Sequence, residues 1–175
     1  MLCGHAGAGK TTAAQYIEEI WQDKAVRRIP IAESLKEIAK NMGWDGKKDE
    51  KGRRLLIELG TVGRHYDENL WIKQCVQKIL EDNSHDIFLI DDWRFPNELY
   101  YTMRELQPRS YKVITVRIER IWRDPTAPPD DPSECSLDNI VTHYTIDNNG
   151  TMEVLKKNVR LLCGSLDERN SYYSI

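Results

Sequence analysis

Residues Gly4 to Thr11 read Gly-His-Ala-Gly-Ala-Gly-Lys-Thr, with Gly4 and Gly9 flanking four residues and a lysine and a hydroxyl following directly. Glycines let a backbone turn so that its N–H groups converge, and a helix starting just after the turn adds the positive end of its dipole. The product is a concave seat for phosphate. In the pattern G-x-x-x-x-G-K-[ST] the lysine reaches the β and γ phosphates of a nucleoside triphosphate and the hydroxyl ligates Mg²⁺. Gly4, Gly7, Ala8, Gly9, Lys10, Thr11 and Thr12 are therefore the expected ATP contacts, and Thr11 the expected Mg²⁺ ligand. The bland alternative is a glycine-rich turn carrying a solvated lysine.

A second feature lies downstream, where Asp86 to Asp92 reads Asp-Ile-Phe-Leu-Ile-Asp-Asp. A short apolar run closed by acids suits a central parallel strand buried on both faces. In open α/β sheets ligands sit beyond the carboxyl ends of such strands. Asp91 or Asp92 is thus expected to orient Mg²⁺ through a water, the alternative being a strand-end acid that caps the following turn. No Asn-Lys-x-Asp guanine-reading motif is present. Cys3, Cys75, Cys135 and Cys163 lie far apart and make no zinc-ligand spacing with the four histidines, so they read as small buried or half-buried thiols.

The elements that must position these groups follow from periodicity. A stunted strand at Met1 to Cys3 precedes the glycine-rich turn, and a helix is predicted from Lys10 to Gln22. Arg28 to Ala32 reads as a second strand, and Leu35, Ile38, Ala39 and Met42 mark a helix ending near Gly43. Residues 43 to 54 read as an exposed loop, and Leu55 to Leu59 as a short helix stopped by Gly60. A stronger helix is predicted from Glu68, a strand from Asp86 to Asp91, and a helix from Pro96 toward Leu106. Tyr111 to Ile118 and Thr142 to Ile146 read as strands, separated by a proline-rich excursion from Arg120 to Ser136. Thr151 caps a final helix whose polar tail from Ser165 is expected to fray. Strands alternating with helices give an α/β class.

Composition narrows the partners. The 25 Lys and Arg against 28 Asp and Glu give a net charge of −3, which argues against nucleic acid or an anionic membrane as a partner and requires any bound anion to be held locally. Hydrophobic residues at 40% with 30% charged residues describe a soluble globular chain, and Ile87 to Ile90 is too short an apolar run to span a bilayer. No basic leader followed by an apolar stretch opens the sequence, so the expected location is cytoplasmic. At 175 residues a single domain over 1 to 175 is expected, as a monomer or homodimer.

Asp92-Trp93-Arg94-Phe95-Pro96-Asn97-Glu98 resembles the D-x-R-F-P-N-E segment of the phage-type deoxynucleoside monophosphate kinase family. Three further segments agree in order: Arg53-x-Leu55-Leu56-x-x-Leu59-Gly60-Thr61, Gly63-Arg64 leading to Trp71-Ile72, and Ser133-Glu134 followed by Tyr144-x-Ile146-x-Asn148-x-Gly150-Thr151. Two positions depart from the pattern, the clipped first strand and Ile57, where relatives usually carry Gln.

The resemblance implies a three-layer P-loop kinase fold, with a five-stranded parallel sheet in order 2-3-1-4-5 and helices on both faces. It implies a monophosphate-binding segment over 33 to 71, in which Lys36, Arg53 and Arg64 face the acceptor phosphate and Trp71 stacks on a base. It implies a mobile lid over 120 to 136 carrying Arg120 and Arg123, with Arg117 on a strand face before it, and an adenine-holding loop at Asn148 to Gly150. Lys10, Asp92, Arg94, Arg120 and Arg123 are the implied catalytic groups, ATP and Mg²⁺ the implied cosubstrate and cofactor, and a small nucleoside monophosphate the partner. Two rivals stay open: a kinase of another small metabolite, in which Asp92 would act as base toward a hydroxyl, and a non-catalytic ATP-binding module.

Overall fold

The structure, a computed structural model, describes residues 1–125 and 131–171, with side chains as far as residue 168. In chain order the elements are β1 (Leu2–Cys3), α1 (Lys10–Ile20), β2 (Val26–Arg28), α2 (Glu33–Asn41), α3 (Glu50–Tyr66), α4 (Leu70–Glu81), β3 (Ile87–Leu89), α5 (Pro96–Leu106), β4 (Val116–Glu119), α6 (Pro132–Cys135), β5 (Tyr144–Asp147) and α7 (Met152–Ser171). A single 3-10 turn, Gln107–Arg109, follows α5. All strand pairs are parallel, so the fold is α/β.

The expected single five-stranded sheet is instead divided. β1, β4 and β5 form one sheet in the order β1-β4-β5, and β2 pairs with β3 in a second. Two backbone hydrogen bonds cross the seam: the Leu2 N–H donates to Ile90 O (2.7 Å) and the Trp93 N–H to Leu2 O (3.2 Å). In a regular parallel ladder the donor lies two residues beyond the acceptor. Here it lies three beyond, so one extra residue is accommodated and the chain bulges at Asp91 and Asp92. Bulges re-aim side chains next to functional sites, and this one ends the ladder where the two acids leave it.

Several predicted boundaries move for identifiable reasons. The second strand sits at Val26–Arg28 rather than 28 to 32, because Pro30 has no N–H and the N–H groups of Ile31 and Ala32 donate to the Asp92 carboxylate instead of a neighbouring strand. The predicted loop from 43 holds only as far as Asp49; residues 50 to 66 form one 17-residue helix, α3, whose N-terminus is capped by Asp49 accepting from the Gly52 N–H (2.8 Å). Gly60 does not stop it. Gly60 and Gly63 are buried contact points where α3 meets Leu35 and Trp71. α4 starts at Leu70 rather than Glu68, and α7 continues past Ser165 to Ser171. Of the strand predicted over 111 to 118, only β4 forms, since β1 is too short to pair with residues 111 to 115.

The core lies on both sides of the strands. Ile17, Trp21, Leu155, Val159 and Leu162 bring α1 and α7 together on one side with Val116, Ile118 and Ile146. Leu35, Trp71, Ile72, Cys75, Ile79 and Leu106 bring α2, α4 and α5 together on the other. Cys3, Cys75 and Cys163 are buried and Cys135 is exposed. No helix among the described residues is long and apolar enough to cross a membrane.

Candidate functional site

The loop between β1 and α1 is shaped by backbone that only glycine adopts cheaply: Gly7 and Gly9 have φ of 76° and 100°. A Cβ on Gly7 would run into the Trp122 indole, and one on Gly9 into the Asn148 amide. Among the described residues no side chain caps α1, which leaves the N–H groups of its first turn without a side-chain cap. Lys10 is almost fully buried at 8% exposure and folds back over the loop, donating to Gly4 O (2.6 Å) and His5 O (2.9 Å). Burial first, then the nearby Arg94 guanidinium, lowers its pKa to about 8.

An anion already sits in this cradle. The Glu134 carboxylate, on α6, accepts from the Ala6 N–H (2.7 Å) and forms an ion pair with Arg94. Arg94 also donates to Ser133 O (2.8 Å). One carboxylate oxygen is held by a loop N–H and the other by one nitrogen of the Arg94 guanidinium, donors that suit an anionic oxygen. Other contacts brace the loop: the Asn148 side chain donates to Ala8 O (2.7 Å), Arg120 reaches Gly7 O (3.4 Å), and His5 lies 3.2 Å from Asp138.

The strand-end acids divide their work. Both Asp92 oxygens accept backbone N–H groups, from Ile31 (2.7 Å) and Ala32 (3.0 Å), so Asp92 fixes the entrance to α2. Burial pushes its pKa up, with the Asp91 charge adding to the effect against the two backbone donors. Asp91 is buried with Arg28 at 3.9 Å. Thr11 is exposed on the first turn of α1. These three are the residues that would hold Mg²⁺, Thr11 directly and an acid through water; a hydroxyl and carboxylates are the hard oxygen donors that this ion requires.

Beside the cradle opens a cavity of about 200 Å³ whose polar lining includes Lys36, Lys48, Arg64, Arg94 and Asp92, with Phe95 and Trp71 among its apolar walls. The Arg64 guanidinium lies 4.3 Å from the Phe95 ring centre. Glu98, buried and a second acid in the cavity lining, accepts from the Arg94 and Phe95 N–H groups (2.8 and 3.0 Å), and burial raises its pKa to about 7. Desolvation lowers the pKa of Lys48, and the charges of Lys36, Arg53 and Arg94 lower it further. A cavity rich in cations suits an anion.

The expected site residues fall in several different settings. Gly4, Gly7, Ala8, Gly9, Lys10, Thr11 and Thr12 shape the cradle or the turn after it, and Lys36, Arg64 and Arg94 line the cavity. Others are turned to structural contacts: Arg53 pairs with Asp124 (2.7 Å), Trp71 is 6% exposed and donates to Gly60 O (3.1 Å), and Arg117 holds Leu137 O and Ile140 O. The pinned Trp71 ring packs on Gly63 and is almost wholly buried, which leaves little of it for base stacking. Asn148 acts through its side chain on the loop, while Gly150 is exposed beyond it. Of the expected lid, residues 126–130 lie outside the described residues; Arg120 and Arg123 are exposed before them and α6 follows. Sequence reasoning gave no role to Glu134, Lys48, Phe95 or Trp122, although Glu134 and Phe95 stand inside the quoted motifs. No protein-family model matches the chain, and no curated protein matches it at a significant level.

Proposed function

We propose that the chain is a P-loop phosphotransferase. The two bonds from Leu2 across the seam support reading the strands as one interrupted sheet in the order 2-3-1-4-5, with the glycine loop at its centre. Within that class the reading is a deoxynucleoside monophosphate kinase, which takes the γ phosphoryl of ATP onto the phosphate of a nucleoside monophosphate.

The observation that carries this reading is the position of Arg94. Together with Ser133 it lines both the hollow beside Gly4 and His5 and the cation-rich cavity. One guanidinium between two hollows that suit anions favours in-line transfer between two phosphates. The acceptor oxygen belongs to a phosphate whose second pKa is near 6, so it is ionised without a base. The chain's residues then have one task, to hold two polyanions together and to neutralise charge on the equatorial oxygens. Lys10 and Arg94 serve the transferring group, and Lys36, Lys48 and Arg64 the acceptor. Arg120 and Arg123 approach from the start of the lid. Thr11, and Asp91 or Asp92 through a water, would hold Mg²⁺, which would supply further neutralisation of phosphate charge.

A hydroxyl acceptor would need Asp92 as its base. Asp92 has both oxygens engaged by backbone N–H groups, which favours the phosphate acceptor. The test is ADP release from Mg-ATP with a panel of deoxynucleoside and ribonucleoside monophosphates. Release that depends on one or more monophosphates is expected. Release with a nucleoside but not with its monophosphate would transfer the reading to a hydroxyl kinase, and ATP binding without release against any acceptor to a binding module.

A further inference from the structure

Acids from the stretch between β4 and β5 meet the arginines of the candidate site one for one. Asp124 pairs with Arg53 (2.7 Å), whose Nε–H also donates to the carbonyl of Lys48, a cation of the cavity (3.1 Å). Glu134 pairs with Arg94. Asp131 stands close enough to Arg64 for its charge to act there: desolvation lowers the Arg64 pKa, and the Glu98 and Asp131 charges oppose it. The side chains of the Arg53 and Arg94 pairs are mostly buried, where salt screens an ion pair less than it does in open solvent.

Two of these acids converge on Ala6 of the glycine loop. Its N–H donates to Glu134 Oε2 (2.7 Å) and its carbonyl accepts from the Asp124 N–H (3.4 Å), so the stretch is moored on one loop residue at two points. Asp131 and Glu134 are joined through α6. Asp131 is the N-cap of that helix, accepting from the Ser133 N–H (2.8 Å), and Glu134 follows within its single turn. Whatever shifts the Glu134 carboxylate therefore shifts Asp131 as well.

We infer that Asp124, Asp131 and Glu134 form an internal pseudosubstrate, an acid set that occupies the arginines of the site and is displaced when a polyphosphate takes the glycine loop. This rests on the phosphotransferase reading and adds to it a coupling between the two substrates. An anionic donor oxygen and Glu134 compete for the same Ala6 N–H and the same Arg94, so one excludes the other. A carboxylate brings one negative charge to these donors and a phosphate chain brings several, which favours the exchange. Once α6 leaves its seat, Asp131 leaves Arg64, and that guanidinium is open to an acceptor phosphate. Donor binding then strengthens acceptor binding, and linkage makes the effect reciprocal. A closing lid behaves in the opposite way, tightening over the site as ligand binds.

The experiment follows α6 through Cys135. Of the four cysteines this one is exposed, whereas Cys3, Cys75 and Cys163 are buried, and burial raises their pKa and keeps them unreactive. A nitroxide on Cys135 is observed while inorganic tripolyphosphate, bound as followed by calorimetry, is added to the full chain. Its motion is expected to quicken, and in the unlabelled chain exchange of the Ser136 amide, which donates to Pro132 O, should rise at least ~10-fold. The double variant Asp124→Asn with Asp131→Asn keeps the cap of α6, since asparagine caps as well as aspartate. It should bind tripolyphosphate ~10-fold more tightly, because two like charges beside the anion are gone. Slower nitroxide motion with slower Ser136 exchange would show the stretch closing over the ligand and would overturn the inference, leaving the phosphotransferase reading in place. Unchanged motion, or equal affinity in the double variant, in a chain that binds the probe would overturn it too. Tripolyphosphate bound by neither chain would overturn the inference and the phosphotransferase reading together, because the loop would then be no anion seat.

Discussion

On the proposed reading, the Lys10 ammonium has two sets of partners to choose between. It is tied to the Gly4 and His5 carbonyls, and burial holds its pKa at about 8. A triphosphate would draw it off the loop. Since the folded value lies below the ordinary 10.5, the charge is present below about pH 8 and lost as pH rises through it. ATP affinity should therefore fall across pH 8 in calorimetric titrations, and Lys10→Met should bind weakly and without that step. A step retained in the mutant would assign the titration to another group. Glu134 makes the opposite contribution, because its carboxylate holds the Ala6 N–H and Arg94 that a phosphate would use. Removing the charge with Glu134→Gln should tighten ATP binding by roughly 10-fold, about 1.4 kcal/mol, in the range of one charge-assisted hydrogen bond. Weaker binding in this variant would mean that Glu134 supports the loop instead of competing for it. Lys10 was legible in the sequence because its partners lie within six residues of it. Glu134 was not, since its contact spans 128 residues and depends on how α6 docks.

At the scale of elements, α3 carries Arg64 to the cavity, and its angle against α4 rests on Gly63. A Cβ there would strike the Trp71 indole, whose ring is fixed by its bond to Gly60 O. Gly63→Ala is expected to cost about 1–3 kcal/mol from overpacking, despite the better helix propensity of alanine. Among the described residues nothing lies within 4 Å of a Cβ added to Gly164 in α7, so Gly164→Ala should gain about 0.5–1 kcal/mol. Urea midpoints of the two variants decide this; equal effects would remove Gly63 from the packing argument. Read locally, Gly60 is a helix stop, and only the neighbouring Leu35 and Trp71 reveal it as a contact point. The helix after Pro96 needed no such help, because proline, Glu98 and apolar spacing all act within one turn. Strand limits were the least legible, since Ile31, Ala32 and residues 111 to 115 depend on which chain lies beside them.

Across the whole molecule, the alternation of strands and helices was readable, but the division of the sheet was not. It arises from one extra residue at the Asp91 and Asp92 bulge and from a β1 of two residues. The same bulge places Arg94 between the glycine-loop hollow and the cation-rich cavity, and that junction is the centre of the functional reading. It is tested most directly by following the label from γ-labelled ATP in the presence of Mg²⁺ and a deoxynucleoside monophosphate. The account predicts that the label appears in the nucleoside diphosphate, with little inorganic phosphate, and that excess chelator abolishes the transfer. Label that stays in ATP, or appears only as inorganic phosphate whichever monophosphate is present, would contradict it.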